Sequence, residues 1–357
     1  MIRTRSSHSK VSRLRRLRPL VLPGAWGAVA VTWKLACPLA QQPGLPMRIA
    51  TSAVFFSVGT GLVLGLRRGL ARELERMRAI AHAAQRVVLR PLPPRLDGLA
   101  LAAAQLSASR GAEVGGDLYE AAATPYGVRL LIGDARGHGL AALGAVAAVL
   151  GSFREAVHDE PELGGVLRRL DRALARHLRD RARDEHPAGG TAEPEHPAAE
   201  EFVTVLLLEI RPGGSVHALN CGHPGPYRLG RRAEVLPAGD PLPPLGAFPL
   251  PAELIPYRCG RLRPGETLLL HTDGAEDARD SGGRFFPLEA VLADAVREAP
   301  VAPAALVERV HTALLRHTGG RLADDVALLV VRNDRVRVPA QPAEPGLRRT
   351  RPAPYPG

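Results

Sequence analysis

The sequence predicts an α+β domain in which antiparallel sheets are covered by helices. Predicted strands come as runs and hairpins, and the helices between them are inserted in pairs instead of alternating regularly with strands. Neither a Walker A loop nor a Rossmann glycine pattern occurs, which disfavours a nucleotide-driven α/β enzyme. Apolar residues make up 45% of the 357, enough for a real core.

Charge divides the chain before any motif does. The formal net charge is +11, yet residues 1–90 carry sixteen Lys/Arg against two acids, a balance of +14. The remainder carries thirty-one against thirty-four, a balance of −3, so the basicity does not belong to the main domain. That distribution argues against nucleic acid as a partner. Cys37, Cys221 and Cys259 are few, odd in number and far apart, so neither a disulfide framework nor a cysteine zinc site is expected.

Residues 1–18 hold seven basic residues and no acid. Two apolar stretches follow, 19–40, interrupted by Pro23, Lys34 and Pro38, and 49–66, which is free of charge and flanked by Arg48 and Arg67. Eighteen apolar residues are near the lower limit for crossing a bilayer. Positive charge on both outer flanks places both ends in the cytoplasm. Residues 19–66 are therefore read as a membrane helical hairpin, with 41–47 as its external turn. A signal peptide and a pair of buried core helices are the competing readings.

Between 67 and 90, Leu70, Leu74, Met77, Ala81, Ala84 and Val88 follow a heptad seam. Two readings stand: a stalk that forms a homodimer, or an amphipathic helix packed on its own domain. Pro91, Pro93 and Pro94 stop the helix. The expected organisation is a basic N-terminus and two-helix anchor over 1–66, a stalk over 67–90, a main domain over 91–332 and a disordered Pro/Arg-rich tail over 333–357.

Within the main domain, strands are predicted over 99–106, 116–122 and 128–133, then helices over 140–157 and 163–183. Residues 184–200 have loop composition, so His186 and His196 read as part of a solvated, flexible insertion. Strands follow over 202–210 and 215–221, joined by Pro212-Gly213-Gly214, then a Pro-rich connection over 237–251 and a strand over 267–271. Helices over 287–298 and 303–318 and a strand over 326–332 complete the order.

Four acidic points stand at strand edges: Asp117, Asp134, Asp273 and the pair Asp324-Asp325. Each is close to a turn. One aspartate beside a glycine is usually a turn residue, but four at corresponding positions suggest a shared site. Carboxylates gathered together repel unless a cation neutralises them. All-oxygen ligation favours Mg²⁺ or Mn²⁺ over Zn²⁺, and two such ions stabilise charge on a transferring phosphoryl group.

The ordered motifs VGGDLYE, IGDARGHG, FVTVLLLEI, LNCGHPGPYRL, LRPGETLLLHTDGAEDARD and LADDVALLVVR resemble the PPM-type (protein phosphatase 2C-like) serine/threonine phosphatases. More narrowly they resemble the bacterial branch typified by the stage II sporulation E phosphatase. QRVVLRPLPP, residues 85–94, resembles that family's lead-in to the domain. The resemblance implies an α-β-β-α sandwich of two antiparallel sheets flanked by helices. It implies two Mn²⁺ or Mg²⁺ ions, with Asp134 bridging them and Asp117 binding directly or through water. Asp273 and Asp324 would complete the second ion's shell, and the Ala135 carbonyl would serve the first. A metal-bound hydroxide would attack phosphoserine or phosphothreonine in line. His138 would donate a proton to the leaving oxygen or else cap the helix it opens. Glu120 is left a supporting role, and Asn220 and His223 are read as fixing a hairpin turn.

These implications add up to a membrane-tethered, cytoplasm-facing protein-serine/threonine phosphatase. Its expected substrate is a phosphorylated regulatory protein, by family analogy an anti-sigma factor antagonist. The rival from another class is a non-catalytic membrane scaffold that uses the same fold to bind a partner. A two-metal nuclease is disfavoured by the domain's −3 charge.

Overall fold

The structure, a computed structural model, describes residues 26, 32, 44–106, 115–137, 139–185, 201–298 and 302–335. Nearly all of the first apolar stretch, residues 186–200 of the expected insertion, His138 and the tail beyond 335 lie outside the described residues. The second apolar stretch and the charged stretch after it form one helix, α1 (Leu45–Val88). No proline interrupts it after Pro46, which sits in the first turn where a missing N–H costs nothing. Residues 45–47, expected in the external turn, are therefore helical. Over Ser52–Glu73 the helix is long and apolar enough to cross a membrane, with a mean hydropathy of 1.3. Val54, Phe56, Val58, Val63 and Leu64 are exposed along it.

The chain divides into two compact units, residues 1–80 and 81–357, and the second carries both sheets. One sheet runs in the order β1 (Arg95–Leu96), β2 (Leu99–Leu106), β11 (Val326–Asn333), β10 (Thr267–His271), β7 (Tyr227–Leu229), β8 (Ala233–Val235). The other runs β3 (Asp117–Thr124), β4 (Gly127–Ala135), β5 (Val203–Ile210), β6 (Ser215–Cys221), β9 (Tyr257–Arg261). Every pairing is antiparallel.

Strand periodicity explains the layers. Alternate residues such as Leu130, Ile132, Leu206, Leu268 and Leu329 fill the space between the sheets. Their neighbours point outward onto helices. Leu131, Val205 and Leu207 meet α2 (Leu140–Asp159) and α3 (Leu163–Glu185). Leu269, Leu328 and Val330 meet α5 (Leu288–Glu298) and α6 (Pro303–His317). The result is the four-layer α-β-β-α sandwich, with apolar residues on both faces of each central strand. A four-residue helix, α4 (Gly274–Asp277), follows β10.

β4 carries one unexpected residue. Arg129 is wholly buried on its helix-facing side. Its Nε donates to Glu209 Oε2 at 2.9 Å. Its Nη atoms donate to the carbonyls of Val157 at 3.0 Å, Glu160 at 2.6 Å and Pro161 at 2.7 Å. A fully bonded guanidinium thus satisfies carbonyls at the end of α2, where a helix leaves acceptors unpaired.

The last heptad position of α1 belongs to this unit too. Val88 packs against the helix-side core and Leu89 is buried in it. Four strands, β1, β7, β8 and β9, were not evident in the sequence. They are short, and β9 places Arg258, Gly260 and Arg261 on a sheet edge, a composition that carries no alternating apolar signal.

Candidate metal centre

The antiparallel pairing of β3 and β4 sets Asp117 opposite Asp134 in register. The next strand sets Thr204 opposite Asp134 on its other side. Asp134 thus sits near the end of a central strand, hemmed by neighbours on both flanks. Gly116 has no room for a side chain. A Cβ there would lie 2.1 Å from the Ala135 carbonyl oxygen and 2.7 Å from Asp134 Oδ1. At Gly115 a Cβ would lie 1.9 Å from Asp325 Oδ2. The two glycines are what let the turn press against the acidic residues.

The second sheet brings the remaining acids. β10 ends at His271, and Asp273 begins α4 without using its side chain as a helix cap. Asp324 lies in the turn before β11, where its Oδ1 accepts the Asp325 N–H at 2.8 Å. Thr272 crosses between the sheets. Its hydroxyl donates to Asp117 Oδ2 at 3.3 Å and accepts the Ala327 N–H at 2.9 Å.

Electrostatics report the convergence. Burial first, then the charges of Asp134 and Asp325, hold the Asp117 carboxyl well above its ordinary value, with the Thr272 bond opposing. Burial first, then Asp273, Asp324 and Asp325, push Asp134 up to about 7. Asp273 is raised by burial and then by Asp324, while the Gly274 N–H pulls it down. Each sheet's carboxylates therefore feel the other's. Among the described residues, no three His, Cys, Asp or Glu side chains stand close enough to share one ion. The donor chemistry nevertheless fits a divalent cation: a set of oxygens whose mutual repulsion a positive charge relieves, and no sulfur.

Some residues fall elsewhere than the motifs implied. Glu120 lies on the opposite face of β3 from Asp117, beside Leu118 and the helix layer. Its Oε2 accepts from Arg154 Nε at 2.7 Å, and Arg154 Nη2 donates to the Val88 carbonyl at 2.7 Å. Glu120 therefore braces the end of α1 through Arg154. Asn220 clamps the hairpin turn as expected, bonding the His223 N–H at 2.8 Å and the His223 carbonyl at 2.9 Å.

Thr272 and Thr204 were not singled out from sequence, and Asp325 entered only as the second member of the Asp324-Asp325 pair. A hydroxyl inside a strand end gives no signal, and the second aspartate of a pair gains meaning only once Gly115 is seen against it.

A profile of the stage II sporulation protein E (SpoIIE) family matches residues 124–334. Among solved structures, the SiaA-PP2C domain of Pseudomonas aeruginosa is similar with a TM-score of 0.53 and 18% identity, over 74% of this chain and 98% of that one. The PP2C phosphatase domain with a regulatory-domain fragment of SpoIIE from Bacillus subtilis matches with a TM-score of 0.47 and 14% identity, over 66% and 63%. The catalytic domain of the serine/threonine protein phosphatase PstP, in complex with two manganese ions, matches with a TM-score of 0.44 and 18% identity, over 66% and 97%. With its family profile spanning more than half the chain and its two-sheet PP2C fold, the chain belongs to the SpoIIE family, a bacterial branch of the PPM-type serine/threonine phosphatases.

Proposed function

We propose that this chain is a divalent-metal-dependent phosphatase that removes phosphate from phosphoserine or phosphothreonine on a small regulatory protein, an anti-sigma factor antagonist by family analogy. The observation that carries this reading is the convergence of carboxylates from both sheets on Asp134. Asp117, Asp134, Asp273, Asp324 and the Ala135 carbonyl are the groups that would hold two Mn²⁺ or Mg²⁺ ions. Bound there, such ions supply Lewis acidity toward phosphoryl oxygens and activate water. Asp134 and Asp117 supply negative charge from one sheet, and Asp273 and Asp324 from the other. The Thr272 hydroxyl orients Asp117. His138 is proposed to pass a proton to the leaving serine oxygen.

Residues 19–66 are proposed to anchor the chain in the membrane with the phosphatase domain in the cytoplasm. The exposed apolar side chains of α1 between Val54 and Leu64 support this. The seam from Leu70 is proposed to pair two copies, with Leu70 about half exposed. Release of phosphate from a phosphoserine peptide, dependent on Mn²⁺ and abolished by a chelator, tests the activity. Recovery of the full-length chain in the soluble fraction without detergent would count against the anchor.

A further inference from the structure

His223 does more than close a turn. The two bonds from Asn220 engage its backbone N–H and carbonyl, so they hold the turn whatever side chain stands at 223. The imidazole is buried, and both ring nitrogens are committed elsewhere. Nε2 lies 3.1 Å from the His271 carbonyl oxygen, which has no proton to give, so Nε2 is the donor. Burial pushes the ring's pKa down to about 3, so at neutral pH it carries one proton and Nδ1 is an acceptor.

The Thr204 hydroxyl, 3.1 Å from Nδ1, must then be the donor on that side. Thr204 Oγ1 also lies 3.4 Å from the Asp134 carbonyl, but its single proton goes to the shorter contact. One protonation pattern satisfies the whole chain.

The ends of that chain lie in different sheets. Thr204 is the cross-strand neighbour of Asp134 on β5. His271 is the last residue of β10, directly before Thr272 and Asp273. Asp134 and Asp273 repel one another, the nearest electrostatic tendency being to part. Thr272 ties the sheets on the Asp117 side, and the imidazole ties them beside Asp134.

We propose that the Thr204–His223–His271 bridge is a positioning device that sets the gap between Asp134 and Asp273, and thereby the affinity of the centre for its divalent ions. The inference rests on the metal-dependent reading above. His223 is a positioning residue and touches no substrate.

The test uses the full-length chain in detergent, with Mn²⁺ as the probe. Two quantities are read: the unfolding midpoint in chelator, and the Mn²⁺ dissociation constant by calorimetry. Thr204→Val keeps the shape and removes the donor, and Thr204→Ser restores it. His223→Gln keeps the Asn220 clamp and shortens the bridge. Partners one step removed from a metal typically change affinity by about 10–100-fold. Thr204→Val and His223→Gln are expected to weaken Mn²⁺ binding by that factor while the midpoint in chelator shifts by only a few degrees, and Thr204→Ser is expected to bind as wild type does. A wild type that responds to Mn²⁺ beside variants that bind it equally well overturns the bridge alone. A wild type with no Mn²⁺ response overturns the metal-dependent reading and the bridge's role with it.

Discussion

The Thr272 hydroxyl reaches across from one sheet to Asp117 Oδ2 on the other, at 3.3 Å. Thr272 Oγ1 also accepts the Ala327 N–H, so a single buried side chain is bonded to both walls of the site. Replacing it with valine leaves a buried donor and acceptor unpaired, at about 1–3 kcal/mol. It also removes the bond that holds the Asp117 pKa down. Thr272→Val is expected to lower the unfolding midpoint measured in chelator by several degrees. Thr272→Ser should restore it.

Gly116 is expected to tolerate no side chain. The contact a Cβ would make is with backbone, 2.1 Å from the Ala135 oxygen, so neither partner can swing away. Gly116→Ala should therefore lose Mn²⁺ binding, measured by calorimetry, while circular dichroism retains the helical and sheet signal. An alanine variant that binds Mn²⁺ normally would show that the turn does not shape the centre.

Asp134 makes the metal-free domain sensitive to pH in a defined direction. Its folded pKa of about 7 stands above the ordinary 3.8, so between those values the folded chain holds the proton more tightly than the unfolded chain does. The associated stability is complete below about 3.8 and is lost as pH rises through about 7. At about 1.4 kcal/mol per pH unit the loss is at most roughly 4 kcal/mol. In chelator, the midpoint of wild type minus that of Asp134→Asn should fall across this window and then level off, because the amide cannot ionise. A difference that stays flat from pH 4 to 8 would contradict the assigned environment.

Arg129 is expected to matter for stability and not for chemistry. Removing it takes away one of the two arginines paired with Glu209 and leaves three interior carbonyls without their donor, and breaking a buried pair costs about 3–5 kcal/mol. For a domain of this size that corresponds to roughly 6–20 °C in the midpoint of Arg129→Ala. Below the transition its Mn²⁺ affinity should match wild type.

Much of this architecture was legible in the residues because apolar strands and amphipathic helices leave periodic traces. The bounds of β2, β6 and β10 coincide with those expected, and α2 and α5 differ by one or two residues. What was not legible depends on tertiary neighbours. Arg129 occurs in an apolar strand and looks like a solvent-facing interruption until the carbonyls at the end of α2 are placed around it. Glu120 and Asp117 share a motif, yet three positions of alternation send them to opposite faces of β3. Thr204, Thr272 and His223 acquire their roles only when two sheets meet, because each bonds a residue many positions away. The continuity of α1 was missed because its sequence changes character at Arg67, while backbone conformation does not depend on whether a helix face is apolar or charged.

The most direct measurement of the central claim is Mn²⁺-dependent phosphate release from a phosphoserine peptide and from p-nitrophenyl phosphate, by full-length wild type and Asp134→Ala in detergent. The account predicts turnover by wild type that a chelator removes and Mn²⁺ or Mg²⁺ restores, with Asp134→Ala at background while its fold is retained. Equal turnover by the two proteins, or wild-type turnover unaffected by the chelator, would contradict it.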